Sequence, residues 1–461
     1  MKTKTFKIFN IDKDIPIPNE LFVELNGENI YCSSCKIILQ AKSKKRHYEE
    51  IHLKIKKTCY ICGASVKRLT PHLDIHKKKK DIEIKSSQLS NKQEVFDIFP
   101  NNKSPLNKIE TLRFSSINQK LLTIYKDDIS PFYKDIFVFK SFQIGFGSHG
   151  VVNFGLSAKV YESLAVKTYE FNFSKYYYKE INSLSKLEKY NLFPKIISKG
   201  NPKNNDYIAE TLIGIDVYRL FEFQNKYFDP VTILNIARDV IYCLSFLFKE
   251  NIVHCDLKCD NFVWNCFDRN KECSRVILID YSCSINKSQN NKLKKIGSNS
   301  YSSLNQTLEN IPNTSDEIES LIYSLLKLSN VNLPWFDKKF QYKNKDKKQL
   351  IYEKENFIIE EYLPQDLKIL GLIFNDVKRK KYDSDIDFKF YDDLLFEQIN
   401  KVKNKLNVDY KFSWESKLKD ILLKLKSEID KSNTDKLLFN GLFSGIPKEY
   451  VIYNLNKIFN I

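Results

Sequence analysis

Apolar and polar positions alternate differently along the two parts of the chain. From about Tyr133 onward, short apolar runs of strand length come first, and long segments with apolar residues every third or fourth position follow. Leu164-Ala165-Val166-Lys167 reads as one strand, and Val276-Ile277-Leu278-Ile279 as another. Between them, Ile181, Leu184 and Leu187 form the apolar side of one helical segment. Ile233, Ile236, Ala237, Val240, Leu244 and Leu247 line a longer one. Beyond Trp414, the spacing of Leu418, Ile421, Leu422 and Leu425 predicts a further amphipathic helix, packed on the domain or on a partner. Strands followed by helices predict an α+β fold.

Before this region the pattern is weaker. Residues 1–28 are a short preface. Residues 29–80 hold every C-x2-C pair and four of the six His. Residues 81–132, with Asn101, Asn102, Ser104 and Pro105, read as a polar linker holding at most one helix. The only internal repeat is a pair of Cys/His units.

Composition fits several folded units, since 461 residues exceed what one core usually serves. A hydrophobic fraction of 42% with 33 Phe supplies a sizeable core and excludes a fibre or wholesale disorder. The net charge of +17 is unevenly placed. From Asn29 to Lys80, fourteen Lys or Arg stand against Glu49, Glu50 and Asp74, a net of +11. Such a concentration suggests a polyanionic partner. No signal-length apolar run follows Met1, and no stretch approaches the roughly 20 apolar residues of a membrane span. A reducing, intracellular setting (cytoplasm or nucleus) and no membrane partner are therefore expected. There, paired cysteines serve as metal ligands rather than disulfides.

The two Cys/His units carry the first candidate chemistry. One runs Cys32-x2-Cys35, eleven residues, His47-x4-His52; the other runs Cys59-x2-Cys62, nine residues, His72-x3-His76. Two thiolates from a tight hairpin and two imidazoles about a helical turn apart can close the tetrahedron that structural Zn2+ prefers. The units resemble C2H2 zinc fingers over residues 31–76, although twelve residues usually separate the inner Cys and His. Val66 and Leu69 are core positions in the second unit; the first has Lys44 where an apolar residue is expected. Lys44, Lys45, Arg46, Lys67 and Arg68 favour contact with DNA or RNA phosphates, without implying base reading. A module that binds only protein is the competing reading. Lys77–Lys80 is a solvated end or a localisation patch.

A second constellation lies in the larger region. Ile144-Gly145-Phe146-Gly147-Ser148-His149-Gly150-Val151-Val152 contains G-x-G-x-x-G-x-V, whose glycines let a hairpin backbone approach a triphosphate closely. Dinucleotide sites share those glycines, so the next element decides. Lys167 ends a strand, and Glu180, thirteen residues on, lies in a helical segment where it can pair with that lysine. Later come His254-Cys255-Asp256-Leu257-Lys258-Cys259-Asp260-Asn261 and, nineteen residues beyond Asn261, Asp280-Tyr281-Ser282. A carboxylate there suits magnesium.

The ordered set resembles protein kinases. Among them it is most similar to the casein kinase I and vaccinia-related kinase superfamily. Gly297-Ser298-Asn299-Ser300-Tyr301-Ser302-Ser303-Leu304-Asn305 resembles the G-T-x-x-Y-x-S-x-N of those families. Asp316-Glu317-Ile318-Glu319-Ser320-Leu321 resembles D-D-L-E-S-L, Leu333-Pro334-Trp335 matches L-P-W, and Asp409–Trp414 is similar to D-Y-x-F-D-W. The resemblance implies a bilobal fold with a β-rich first lobe and a helical second one over 133–414; the apolar spacing beyond Trp414 adds a helical extension over 415–461. It implies ATP with Mg2+ and transfer to protein Ser or Thr. Asp256 would accept or orient the substrate hydroxyl, Lys258 would steady the transferring phosphoryl group, and Asn261 and Asp280 would hold magnesium. Ile144, Val152 and Ala165 would roof the adenine and Val263 would floor it. Glu210 would open the hinge, with Ala209 at the back of the pocket, in a register open to a slip of one.

The chain departs from the pattern at Cys255, which cannot pair with a loop phosphate as arginine would, and at Ser282, where a glycine is usual. Lys292, Lys294 and Lys295 suggest acidic or already phosphorylated protein substrates. An active kinase recruited to nucleic acid by the fingers is the leading reading, and a weakly active kinase-fold scaffold is the alternative.

Overall fold

The computed structural model describes residues 116–133, 135–147, 149–159, 162–169, 173–201, 206–267, 275–287, 300–336, 344–380, 386–426 and 438–459, together with five short strands before residue 67. The chain divides into two compact units, Met1–Asn102 and Lys103–Ile461. In the first, strands Phe22–Asn26, Asn29–Cys32 and Ile37–Gln40 form an antiparallel sheet in that order, and Lys57–Thr58 pairs with Ser65–Val66. Of the expected zinc ligands, Cys32 ends one of these strands. Cys35, His47, His52, Cys59, Cys62, His72 and His76 lie outside the described residues.

The second unit is bilobal. Its first lobe is a six-stranded antiparallel sheet of β1 (Ile129–Tyr133), β2 (Ile136–Gly147), β3 (Gly150–Ser157), β4 (Ser163–Tyr169), β5 (Ile196–Gly200) and β6 (Asp206–Thr211), ordered β5-β6-β4-β3-β2-β1. Strand alternation divides its side chains between two faces. Ile136, Val138, Leu164, Val166, Tyr207 and Ala209 form an apolar cluster on one. The opposite face carries Val152, Ala165 and Lys167, and the helix α2 (Ser174–Leu187) packs on that side through Tyr177 against Tyr169 and Ile208.

The second lobe is built on α4 (Pro230–Lys249), a twenty-residue helix that Asp229 caps by accepting the Thr232 amide, with Pro230 at its first position. This helix meets the length and composition of a membrane span, with mean hydropathy 1.6, contrary to the sequence expectation that no stretch does. It is the core helix of the lobe: 72% of that window is buried, Arg238 pairs with Asp392, and Asp239 pairs with Lys411. Against it pack α6 (Thr314–Leu328) and α9 (Phe388–Leu406), and α8 (Lys368–Arg379) packs on both of these. A capping box of Asn313 and Asp316 starts α6. Phe412 stacks on Trp414, which packs against Phe228 and Trp264 and anchors α10 (Ser413–Lys426).

Segments outside 133–414 are part of this body. In α1 (Ser116–Ile124), Ile117, Leu121 and Leu122 enter the main core, so the folded unit begins before the expected end of the linker. The C-terminal stretch packs on the domain through Leu438, Leu442, Phe443 and Ile446, and through Tyr450, Val451 and Leu455 of α11 (Lys448–Phe459). Tyr450 meets both Phe154 of the sheet and Phe267 of the second lobe.

Candidate active site

Three elements converge on one lysine. Lys167, on β4, has its Nζ 2.8 Å from Glu180 Oε2 on α2 and 2.6 Å from Asp280 Oδ1. Burial works to lower the lysine, but the carboxylates of Asp280 and Glu180 outweigh it and keep the amine charged. Tyr169 also donates its hydroxyl to Glu180 Oε2. Burial raises Glu180 to about 7 although Lys167 opposes it. Asp280 behaves oppositely: Lys167 and the Ser282 hydroxyl overcome its burial and hold the carboxyl well below the usual range.

The glycine-rich hairpin is β2 and β3. Gly150 lies so close to β4 that an added Cβ would stand 2.0 Å from the Thr168 carbonyl oxygen, so only glycine fits. Gly145 differs, because a Cβ there would meet only Val152 at 3.9 Å. Its lack of a side chain keeps space under the hairpin open, which fits the phosphate cradle expected there. Ile144, Val152 and Ala165 are half-buried and Val263, on β9 (Phe262–Asn265), is buried.

The sheet register corrects one expectation. Glu210 pairs with Ala165 and Ile208 pairs with Lys167, so the Glu210 side chain shares their face. Ala209 points into the opposite apolar cluster and does not stand behind the adenine pocket. The register is thus displaced by one, and an acid occupies the back of the cleft. Burial, with Glu180 beside it, pushes Glu210 up to about 8.

The loop after α4 supplies the remaining groups. Lys258 Nζ lies 2.8 Å from Asp256 Oδ2. Asn261 Nδ2 donates to the Asp256 carbonyl at 2.8 Å, which leaves Asn261 Oδ1 as the atom suited to a cation. His254 is buried and held neutral by burial; its ring bonds the Ile279 carbonyl at 2.9 Å and stands against Tyr281. Cys255 adopts φ 68°, and burial raises its thiol well above the ordinary value.

Sequence reasoning gave Glu317 no role. Its carboxylate accepts the amides of His254 at 2.8 Å and Cys255 at 3.0 Å and so fixes the loop from α6. Gln306 donates to the Cys255 carbonyl at 3.2 Å, and Ser303 donates to Asp316 at 2.7 Å. Lys354, also unexpected, is fully buried and donates to the Ser302 carbonyl and to Thr307 Oγ1. The acidic pattern at 316–319 and the segment Gly297–Asn305 hinted at this network; Gln306 and Lys354 lay outside both. Lys292, Lys294 and Lys295 lie outside the described residues.

No three His, Cys, Asp or Glu side chains are grouped to hold a metal among the described residues. The donors present are one ionised carboxylate, Asp280, and one amide oxygen, Asn261. That pair fits a magnesium ion whose other ligands are phosphate oxygens and water. A model of the protein kinase domain matches residues 139–422, more than half of the chain.

Proposed function

Because the chain belongs to the protein kinase family, we propose that it transfers the γ-phosphate of ATP to serine or threonine of protein substrates, as a relative of the casein kinase I and vaccinia-related kinases. Family membership makes it a phosphotransferase that uses ATP with magnesium and acts on protein. The observation that carries phosphotransfer is the placement of Lys167 between Glu180 and Asp280, which gathers strand, helix and catalytic turn at one point; the choice of serine or threonine rests on the sequence resemblance alone.

In this reading Lys167 steadies the α- and β-phosphates, and Glu180 fixes its direction. Asp280 and Asn261 hold magnesium, which when bound offsets phosphate charge. Asp256 orients the substrate hydroxyl and takes up its proton as the new bond forms, and Lys258 stabilises charge on the transferring group. Acidic or prephosphorylated proteins are the proposed substrates, drawn by the lysines at 292–295.

The zinc reading is also ours. In the sequence, Cys32 ends the strand Asn29–Cys32 and Cys35 follows it before the paired Ile37–Gln40, while Cys59 and Cys62 fall between the paired Lys57–Thr58 and Ser65–Val66. Hairpins of that kind present two thiolates together. The basic surplus of this region favours DNA or RNA as its partner, in an intracellular setting.

The test is phosphorylation of casein by the full chain with labelled ATP and magnesium, beside Asp280→Asn. The wild type should label serine and threonine, and Asp280→Asn should lose at least a hundredfold. Equal background labelling by both would support the scaffold alternative.

A further inference from the structure

Ser282 occupies the position after Asp280-Tyr281, and its hydroxyl touches two parts of the site at once. Asp280 sits in a left-handed backbone conformation, φ 63° and ψ 74°, which turns its side chain across the cleft. Its Oδ1 receives three donors: Lys167 Nζ at 2.6 Å, Ser282 Oγ at 2.6 Å and the Ser282 amide at 3.3 Å. All three converge on one oxygen. Rotation of the carboxylate would break them together, so Oδ2 stays as the oxygen for a cation, on a side chain 30% exposed. A glycine at 282 would leave only the amide, the longest of these bonds, besides the lysine.

The Ser282 hydroxyl has one proton, and the ionised Asp280 can only accept it. The serine oxygen is therefore the acceptor in its second contact, with His149 Nδ1 at 3.3 Å. His149 lies at the turn of the glycine-rich hairpin. Its ring stacks on Tyr176 with centroids 3.7 Å apart and planes at 24°, and it meets the edge of Phe173 at 5.7 Å. Both aromatics belong to the start of α2, the helix that carries Glu180. A continuous path thus runs from hairpin tip to serine to the metal-side carboxylate.

We propose that Ser282 is a positioning residue that orients the Asp280 carboxylate and, through His149, latches the glycine-rich hairpin over the cleft. The inference rests on the kinase reading above and adds to it a coupling between hairpin closure and metal binding. Removing the hydroxyl frees the carboxylate to rotate and the hairpin to lift. Magnesium then binds more weakly and nucleotide leaves faster.

The test uses the full chain and a fluorescent ATP analogue. Equilibrium binding is followed while magnesium is titrated, and nucleotide release is followed by rapid mixing. Ser282→Ala should raise the magnesium midpoint roughly tenfold, the low end expected when an outer partner of a metal ligand is lost. Ser282→Thr keeps the hydroxyl and should restore it. His149→Phe keeps the stacked ring but lacks Nδ1; it should speed release several-fold in the wild-type background and not further in Ser282→Ala. Wild-type midpoint and release in Ser282→Ala would overturn the latch while leaving the kinase reading intact. A wild-type protein that binds no magnesium nucleotide would overturn the kinase reading itself. Should Ser282→Ala not fold, the release rate of His149→Phe decides alone, and an unchanged rate rejects the latch.

Discussion

Glu210 shares the nucleotide face with Ala165 and Lys167, and the field of Glu180 acts on it there. Burial and that neighbour raise it from 4.5 to about 8, so the folded protein favours its neutral form. A carboxyl raised on folding contributes stability that is complete below its unfolded value and is lost as pH rises through the folded one. The window therefore runs from about pH 4.5 to about pH 8. Glu210→Gln has no proton to lose. Its melting temperature should rise relative to the wild type as pH goes from about 6 to about 9, on the order of 1–2 °C per kcal/mol relieved for a unit of this size. Calorimetry at several pH values checks this, and a constant difference across the range would reject it. The identity of Glu210 was visible in the sequence, but its facing was not. A shift of one residue along a strand exchanges two faces, and only the pairing of β6 with β4 fixes which residue looks inward.

At the scale of elements, the C-terminal stretch ties the two lobes together. Arg219, on α3 (Val217–Phe223), bonds the Ser444 carbonyl at 2.8 Å and also the carbonyl of Ile144 in β2. Gly445 has φ 83°, and an added Cβ would stand 1.9 Å from the Gln143 carbonyl oxygen. Tyr125, just after α1, donates to Glu449 of α11 at 2.8 Å, which fixes the same stretch from the other side. Gly445→Ala therefore strains the backbone and collides with the strand that leads into the glycine-rich hairpin. We expect a loss of about 1–3 kcal/mol in urea unfolding and a raised KM for ATP, because Ile144 moves with Gln143. Unchanged unfolding and KM would show that this stretch does not brace the hairpin. The helix at 413–426 was legible from its apolar spacing, but the destination of the last residues was not. Gln143 and Gly445 are some three hundred positions apart, and no local pattern encodes such a contact.

For the whole molecule, legibility follows the reach of each constraint. The order of Gly145, Lys167, Glu180, Asp256, Asn261 and Asp280 could be read because each sits in a short motif that its own strand or turn demands. Glu317 and Lys354 could not, since each reaches groups distant in sequence, fixed only by how α6 and α7 (Asn344–Glu355) pack. The same reasoning applies to the division of the chain into two compact units. A zinc module gains its folding energy from its metal, so loss of one thiolate unfolds that module first. A domain with its own core retains its catalytic geometry when a separate module fails. On the proposed zinc and nucleic-acid reading, Cys59→Ser should therefore release zinc and weaken binding to DNA or RNA by at least an order of magnitude, with phosphorylation of a free peptide unchanged. Metal content, a binding titration at fixed salt and a peptide assay on one preparation decide it. Zinc loss with undiminished nucleic-acid binding would move that affinity elsewhere on this basic chain, and a parallel fall in peptide phosphorylation would mean that the two units do not act independently.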